Sequence, residues 1–252
     1  MSETVLEVTN LSKSYDNNTV VDSISFSVSA GEVFGILGPN GAGKTTTLEM
    51  IEGLRPVDSG EITLADVQVH ETPDKVKPLI GVQRQTTAFY DKLKLSEHIE
   101  MFAGLYGEKV NAAKLLEKVQ LTEKAGSYVE NLSGGQRQRF SIAVALVNKP
   151  KVIFLDEPTT GLDPQARRSL WDLVEQISNS GITVVLTTHY MDEAEVLCDR
   201  IAVMDAGDII ALDTPPNLVQ NLLDKGFKKD VVAVQANLED VFLDLTGKAL
   251  RE

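Results

Sequence analysis

Apolar and polar residues change rhythm along the 252-residue chain, and each rhythm predicts a different element. Through the first thirty residues they alternate: Ile24, Phe26 and Val28 share one face, and Ser23, Ser25, Ser27 and Ser29 the other. That period of two predicts a half-exposed antiparallel strand, with Asp16-Asn17-Asn18 as the turn before it. From Val33 onward several short runs have no polar face: Val33-Phe34-Gly35-Ile36-Leu37, Leu79-Ile80-Gly81-Val82, Val152-Ile153-Phe154-Leu155 and Thr183-Val184-Val185-Leu186-Thr187-Thr188. Runs of this kind belong to strands buried on both sides. Glu61-Ile62-Thr63-Leu64 reads as one more short strand, and Ile201-Ala202-Val203-Met204 with Ile209-Ile210-Ala211-Leu212 as a hairpin across Ala206-Gly207.

Between 86 and 150 the spacing turns helical. Ser96 is placed to cap one helix, with Glu97 and Glu100 in its first turn and Ile99, Phe102, Ala103 and Tyr106 on one face. Asn111 is placed to cap a second, carrying Leu115, Leu116 and Val119. A third follows Leu132-Ser133-Gly134-Gly135-Gln136; Phe140, Ala143, Val144 and Val147 repeat along it, and Ile142, Ala145 and Leu146 make it apolar nearly all round, as a buried helix is. Further on, Asp163-Pro164 reads as an N-cap with proline at the first helical position, Leu170, Val174 and Ile177 as a buried stripe, and Gly181 as the stop. A short helix is expected over 191–198. After Pro215-Pro216 comes a tail, in which Asn237 caps a last helix with Leu238, Val241, Phe242 and Leu245 on one face and Gly247 at its end. The whole predicts an α/β chain: a mostly parallel sheet core covered on both faces, an antiparallel β subdomain and a helical subdomain.

One segment adds chemistry to this frame. Gly38-Pro39-Asn40-Gly41-Ala42-Gly43-Lys44-Thr45 fits G-x-x-x-x-G-K-[ST], the phosphate-cradling P-loop of nucleoside triphosphatases, and it lies between a predicted buried strand and a helix carrying Leu48, Ile51 and Leu54. The glycines let successive N–H groups point inward, and the helix start adds free donors and a positive dipole end. The candidate binding set runs from Gly38 through Thr46; Lys44 is placed to reach the β- and γ-phosphates and the Thr45 hydroxyl to ligate Mg²⁺. Asp156, ending the apolar strand before Glu157, supplies a second metal ligand, and Glu157 is a candidate to orient or deprotonate the attacking water. His189 ends another such strand; adjacent parallel strands end on one edge, where it becomes a candidate donor to the γ-phosphate. Ser133-Gly134-Gly135-Gln136 opens a helix with glycines and a hydroxyl and so makes a second anion site, which a single nucleotide does not need. Tyr15 reads two ways, as an ordinary rim residue or as a platform on which a base stacks.

Charge and composition narrow the partners. A formal net charge of -13 argues against a nucleic-acid partner, which calls for a basic face. The single Cys198 allows no internal disulfide and fits a reducing compartment. Met1-Ser2-Glu3-Thr4 lacks the basic start and apolar core of a signal peptide, and apolar stretches such as 140–147 are too short to span a bilayer. The chain is expected to be soluble and to reach a membrane only through a partner.

These motifs together resemble the nucleotide-binding subunit of ATP-binding cassette (ABC) transporters, over nearly the whole of Val5 to Leu212. Leu132-Ser133-Gly134-Gly135-Gln136 matches the family signature, Gly38 to Thr45 Walker A, Val152 to Pro158 Walker B, Thr160-Gly161-Leu162-Asp163 the D-loop, and His189 the switch histidine. Tyr15 stands where the family's adenine-stacking aromatic is found. Gln83 and Gln85 compete for the glutamine that opens the loop into the helical subdomain, where it joins the metal and the attacking water; spacing from Ile80-Gly81 favours Gln85. The resemblance implies an ABC ATPase domain over 1–215, with the helical subdomain of about 86–150 inserted in it and a C-terminal extension over 216–252. It implies ATP and Mg²⁺ as cofactors and two copies closing head-to-tail around two ATPs, so that Ser133, Gly134, Gly135, Gln136 and Asp163 serve the partner's nucleotide. Leu238 to Gly247 resembles the end of bacterial exporter cassettes for drugs, antibiotics and polysaccharides, whose transmembrane permease is often a separate chain. That implies a peripheral protein on the cytoplasmic face of the membrane. The tail helix is either a dimer contact or the cover of an exposed patch. The permease groove is expected around Gln85 and 86–101, where Phe89 and Tyr90 are either exposed docking aromatics or core. Two alternatives are a soluble cassette ATPase acting on ribosomes or DNA and a nucleotide-binding regulator without turnover. A single cassette without heptads weighs against the first, and intact Glu157, His189 and Ser133 against the second.

Overall fold

The structure, a computed structural model, describes residues 3–16, 18–85 and 88–227; the helix expected from Asn237 lies outside them. In chain order the elements are β1 (Thr4–Tyr15), β2 (Asn18–Ser29), β3 (Val33–Leu37), α1 (Lys44–Ile51), β4 (Ser59–Leu64), β5 (Val67–Gln68), α2 (Pro73–Val76), β6 (Ile80–Gln83), α3 (Leu95–Leu105), α4 (Ala112–Lys118), α5 (Gly134–Ala145), β7 (Val152–Asp156), α6 (Pro164–Asn179), β8 (Thr183–Thr188), α7 (Met191–Leu197), β9 (Arg200–Asp205), β10 (Asp208–Asp213) and α8 (Pro215–Asp224). The chain divides into two compact units between Leu218 and Val219.

Two sheets organise the first unit. One is antiparallel, in the order β2-β1-β4-β5; the other runs β10-β9-β3-β8-β7-β6, parallel throughout except for the β9–β10 hairpin. Alternate residues of the parallel strands feed two separate cores. Phe34, Ile36, Phe154 and Val185 pack with Leu48 and Ile51 of α1 and with Leu6, Val8, Ile24 and Phe26 of the antiparallel sheet. Leu37, Ile153, Leu155 and Leu186 pack on the other side with Phe140 of α5, Leu170 and Val174 of α6, and Leu95 and Leu116 of the helical segment. Each fully buried aliphatic of this kind is worth about 1.5–3 kcal/mol, so the doubly covered sheet dominates the fold. Asn111 caps α4, accepting from Lys114 N at 3.1 Å, and Asp163 caps α6, accepting from Ala166 N at 2.6 Å. In α6 the single tryptophan, Trp171, donates its indole N–H to Glu193 Oε1 of α7 at 3.1 Å. Burial holds the Glu193 carboxyl above its ordinary range, against the hydrogen bond from Trp171.

Four expectations change. Helix α1 stops at Ile51, so Leu54 leaves the apolar stripe and stands 56% exposed; Arg55 bonds back to Glu49 and turns the chain across the helix. Ser96 does not cap α3. The helix starts two residues earlier than a Ser96 cap would place it, at the fully buried Leu95; the Glu97 carboxylate accepts from Lys94 N at 2.8 Å, and the Ser96 hydroxyl donates to Ala125 O instead. Strand β5 and helix α2, too short to show a period, were not expected. The chain after Thr214 is helical at once, as α8, where a tail was expected: Pro215 supplies the fixed φ of a first turn.

Burial pushes the Glu52 carboxyl from its ordinary 4.5 up to about 8, with the charges of Asp156 and Glu49 adding and Arg84 opposing. The fold thus favours protonated Glu52, and this group's contribution to stability is lost as pH rises from about 4.5 through about 8. Glu52→Gln is expected to change Tm little at pH 5 and to raise it by several degrees at pH 8.5; a gain that shrinks with rising pH in thermal melts would contradict the buried acid.

Candidate nucleotide site

The carboxyl ends of β3, β7 and β8 lie side by side, with Leu37 opposite Thr188 and Asp156 opposite Thr187. The P-loop therefore leaves the sheet beside the Asp156-Glu157 pair and the turn that carries His189. It is tightly held there. A Cβ on Gly38 would lie 2.2 Å from Met204 O, and one on Gly43, at φ 100°, 2.5 Å from Val20 O. Neither position admits a side chain.

Lys44, with its side chain 5% exposed, donates to Gly38 O at 2.9 Å and Pro39 O at 3.1 Å, and its Nζ is 3.4 Å from Glu157 Oε1. Neutral carbonyls are weaker partners for an ammonium than phosphate oxygens, so the side chain is poised to exchange them. Thr45 Oγ1 lies 3.2 Å from both oxygens of Asp156. Hydroxyl and carboxylate are the hard oxygen donors Mg²⁺ takes, and among the described residues no cluster of three His, Cys, Asp or Glu offers a complete cage. A Mg²⁺ held there would need phosphates and water to complete its shell, the usual arrangement for a nucleotide-borne Mg²⁺.

Glu157 is the hub. Its Oε1 is 3.2 Å from His189 Nδ1, off the line of a straight hydrogen bond, and its Oε2 accepts from Thr160 Oγ1 at 3.2 Å and, weakly, from Gln85 Nε2 at 3.5 Å. Burial alone would raise its carboxyl; His189 and the Lys44 ammonium outweigh burial and hold it below the usual range, so it is ionised at neutral pH. Asn40, Gly41, Thr46 and Gln85 line the same cleft, of about 540 Å³, with Lys44, Thr45, Glu157 and His189. Of the two competing glutamines, Gln83 is fully buried in β6 and bonds Arg84 O, while Gln85 faces the cleft.

The remaining predicted residues sit elsewhere. Ser133 is the exposed N-cap of α5, in a reciprocal capping box with Gln136 (Gln136 N to Ser133 Oγ 3.3 Å, Ser133 N to Gln136 Oε1 3.0 Å). Gly135 packs against α6, where an added Cβ would lie 2.9 Å from Ala166 Cβ, the residue whose N–H Asp163 caps. Neither 133–136 nor Asp163 lines the cleft. Tyr15 does not line it either: its hydroxyl accepts from Arg55 Nη1 at 2.7 Å, and Arg55 and Lys13 stand over its ring. Arg55 in turn pairs with Glu49, which also pairs with Arg84, the neighbour of Gln85. Of the two aromatics weighed for docking, Phe89 packs on Phe140 and His98 in the core, and Tyr90 is 64% exposed. Sequence reasoning gave no role to Thr187, Arg55 or Glu49; a threonine inside a strand rich in β-branched residues looks like any strand residue.

A strand, a glycine loop, a helix and a carboxylate pair on one sheet edge define a P-loop nucleoside triphosphatase. A family profile described as ABC transporter matches residues 21–160. The linearmycin resistance ATP-binding protein LnrL of Bacillus subtilis (strain 168) is 44% identical over 223 residues, covering 86% of this chain and 72% of the relative. The Nod factor export ATP-binding protein I of Burkholderia orbicola (strain AU 1054) is 42% identical over 226 residues, covering 88% and 74%. Among solved structures, the ATP-binding subunit of an ABC transporter superposes with a TM-score of 0.78 at 28% identity, covering 96% of this chain and 99% of that one. A dimeric cassette in a post-hydrolysis state with ADP and Pi gives 0.75 at 26% identity, covering 83% and 98%. The chain belongs to the ATP-binding cassette family of ABC transporters, and it is an ATP-binding ATPase.

Proposed function

We propose that this ATPase powers an exporter: two copies close on two ATPs and drive a transmembrane permease carried on a separate chain, at the cytoplasmic face of the membrane. The observation that carries the reading is the gathering of Lys44, His189 and Gln85 around an ionised Glu157 beside the P-loop. Export is supported by the name of the Nod factor relative and is in keeping with the resistance relative, and the two-copy arrangement by the dimeric cassette. Among the described residues no helix is long and apolar enough to cross a membrane.

In this reading the backbone from Gly38 to Thr46 and the Lys44 ammonium hold the β- and γ-phosphates. Thr45, Asp156 and Gln85 would hold Mg²⁺, which when bound would supply positive charge to the phosphates. Glu157 aligns the attacking water and takes its proton, with the nearby Lys44 and His189 keeping the carboxylate charged until then. His189 donates to the γ-phosphate, and Tyr15 lies under the base. Ser133, Gly134, Gly135 and Gln136, with Asp163, complete the other copy's site.

The permease surface is the apolar groove of about 570 Å³ lined by Leu54, Ile80, Phe102, Tyr106 and Val144, next to the Gln85 loop. Leu54→Glu with Tyr106→Asp is expected to leave ATP turnover of the isolated protein within about twofold, because surface changes of this kind rarely exceed 0.5 kcal/mol. The same pair is expected to abolish co-sedimentation with membranes that contain the co-expressed permease. Membrane association that needs no permease, or turnover stimulated by RNA, would overturn the exporter reading.

A further inference from the structure

We infer that Thr187 is a positioning residue for hydrolysis, its single hydroxyl fixing both members of the Asp156-Glu157 pair. The inference rests on the roles proposed above for those two carboxylates. Thr187 is fully buried in β8, opposite Asp156 in the parallel ladder. Its Oγ1 donates its one hydrogen to Asp156 Oδ1 at 2.6 Å, a short bond of the charge-assisted kind. With that hydrogen committed, the oxygen's lone pairs receive Glu157 N–H at 3.0 Å, and Thr187 O receives the same N–H at 3.2 Å.

Each bond has a mechanical consequence. Asp156 is held with both oxygens equidistant from Thr45, so the hydroxyl and the carboxylate face one point. Glu157 sits at φ 46°, in the left-handed region that a non-glycine residue keeps only when its surroundings hold it there. The holding is done by Thr187 from one side and by Thr160 N, which donates to Glu157 O at 3.2 Å, from the other. The left-handed residue turns the chain out of the strand, and the Glu157 carboxylate goes to Lys44 and His189. Valine has the shape of threonine and fills the strand equally well, as Val184 and Val185 do three and two residues earlier. The hydroxyl at 187 is therefore not needed to fill space; its use is the pair of bonds.

The test compares Thr187→Val, Thr187→Ser and Thr187→Ala in the full chain. We measure turnover against ATP and Mg²⁺, binding of a fluorescent ATP analogue with Mg²⁺ and with EDTA, and Tm. Thr187→Val is expected to lower kcat roughly 10–100-fold, the usual effect of removing a group that orients a ligand from behind, with KM for ATP within about threefold. Its half-saturating Mg²⁺ concentration rises several-fold, analogue binding in EDTA is unchanged, and Thr187→Ser recovers most of the lost turnover. If Thr187→Val does not fold, Thr187→Ala with serine rescue carries the same expectation. Valine turnover and Mg²⁺ dependence like the wild type would overturn the inference, and so would a serine variant as impaired as valine. Glu157→Gln is run alongside. If it is inactive while Thr187→Val is normal, only the role of Thr187 fails; if it is active, the assignment of Glu157 fails.

Discussion

Glu157→Gln is expected to bind ATP as the wild type does and to lose about 10²–10⁴ in hydrolysis. The amide keeps the shape and the contact to Thr160 but cannot take a proton. It also removes the negative charge that Lys44 and His189 flank at 3.4 and 3.2 Å, which leaves both side chains free for the γ-phosphate. Closure on ATP should then persist, visible as a dimer by light scattering with ATP and a monomer without it. Phosphate release measured in single turnover reads the chemical step directly. Turnover like that of the wild type in this variant removes Glu157 from the mechanism.

The second large effect comes from splitting the site between copies. In one chain the signature residues and Asp163 sit at the α5–α6 junction, away from the cleft that holds the P-loop. Lys44→Ala and Ser133→Asp should each lose about 10³ or more in turnover alone, as when a finger supplied in trans is removed. Mixed in equal amounts they should recover roughly a quarter of wild-type activity, since half the dimers are mixed and each of those has one intact composite site. No recovery on mixing, or specific activity independent of dilution, would show that one chain hydrolyses ATP alone.

Much of this was legible because it is local. A P-loop needs glycines where backbone crowds backbone, and Gly38 and Gly43 stand against Met204 O and Val20 O. A helix start needs an acceptor, and Asn111 and Asp163 supply one. Asp156, Glu157 and His189 follow apolar runs whose parallel pairing brings their ends to one edge. What escaped was set by tertiary competition. Ser96 had a capping side chain but found a carbonyl to donate to, and the buried Leu95 pulled the helix start to itself. Tyr15 was legible as an aromatic near a turn, but its bond to Arg55 joins residues forty positions apart. Thr187 carried no signal, because its two bonds exist only once β7 and β8 are side by side.

The single tryptophan makes part of this machinery visible without a label. Trp171 is half-buried in α6, and its indole N–H rests on the Glu193 carboxylate of α7, four residues after His189, which follows β8. No other indole in the chain contributes to the signal. Emission wavelength and quenching by iodide thus report on one junction alone, the packing of α6, which Asp163 caps, against α7, which follows His189. Stopped-flow fluorescence on the unmodified protein can time rearrangement of that junction against phosphate release.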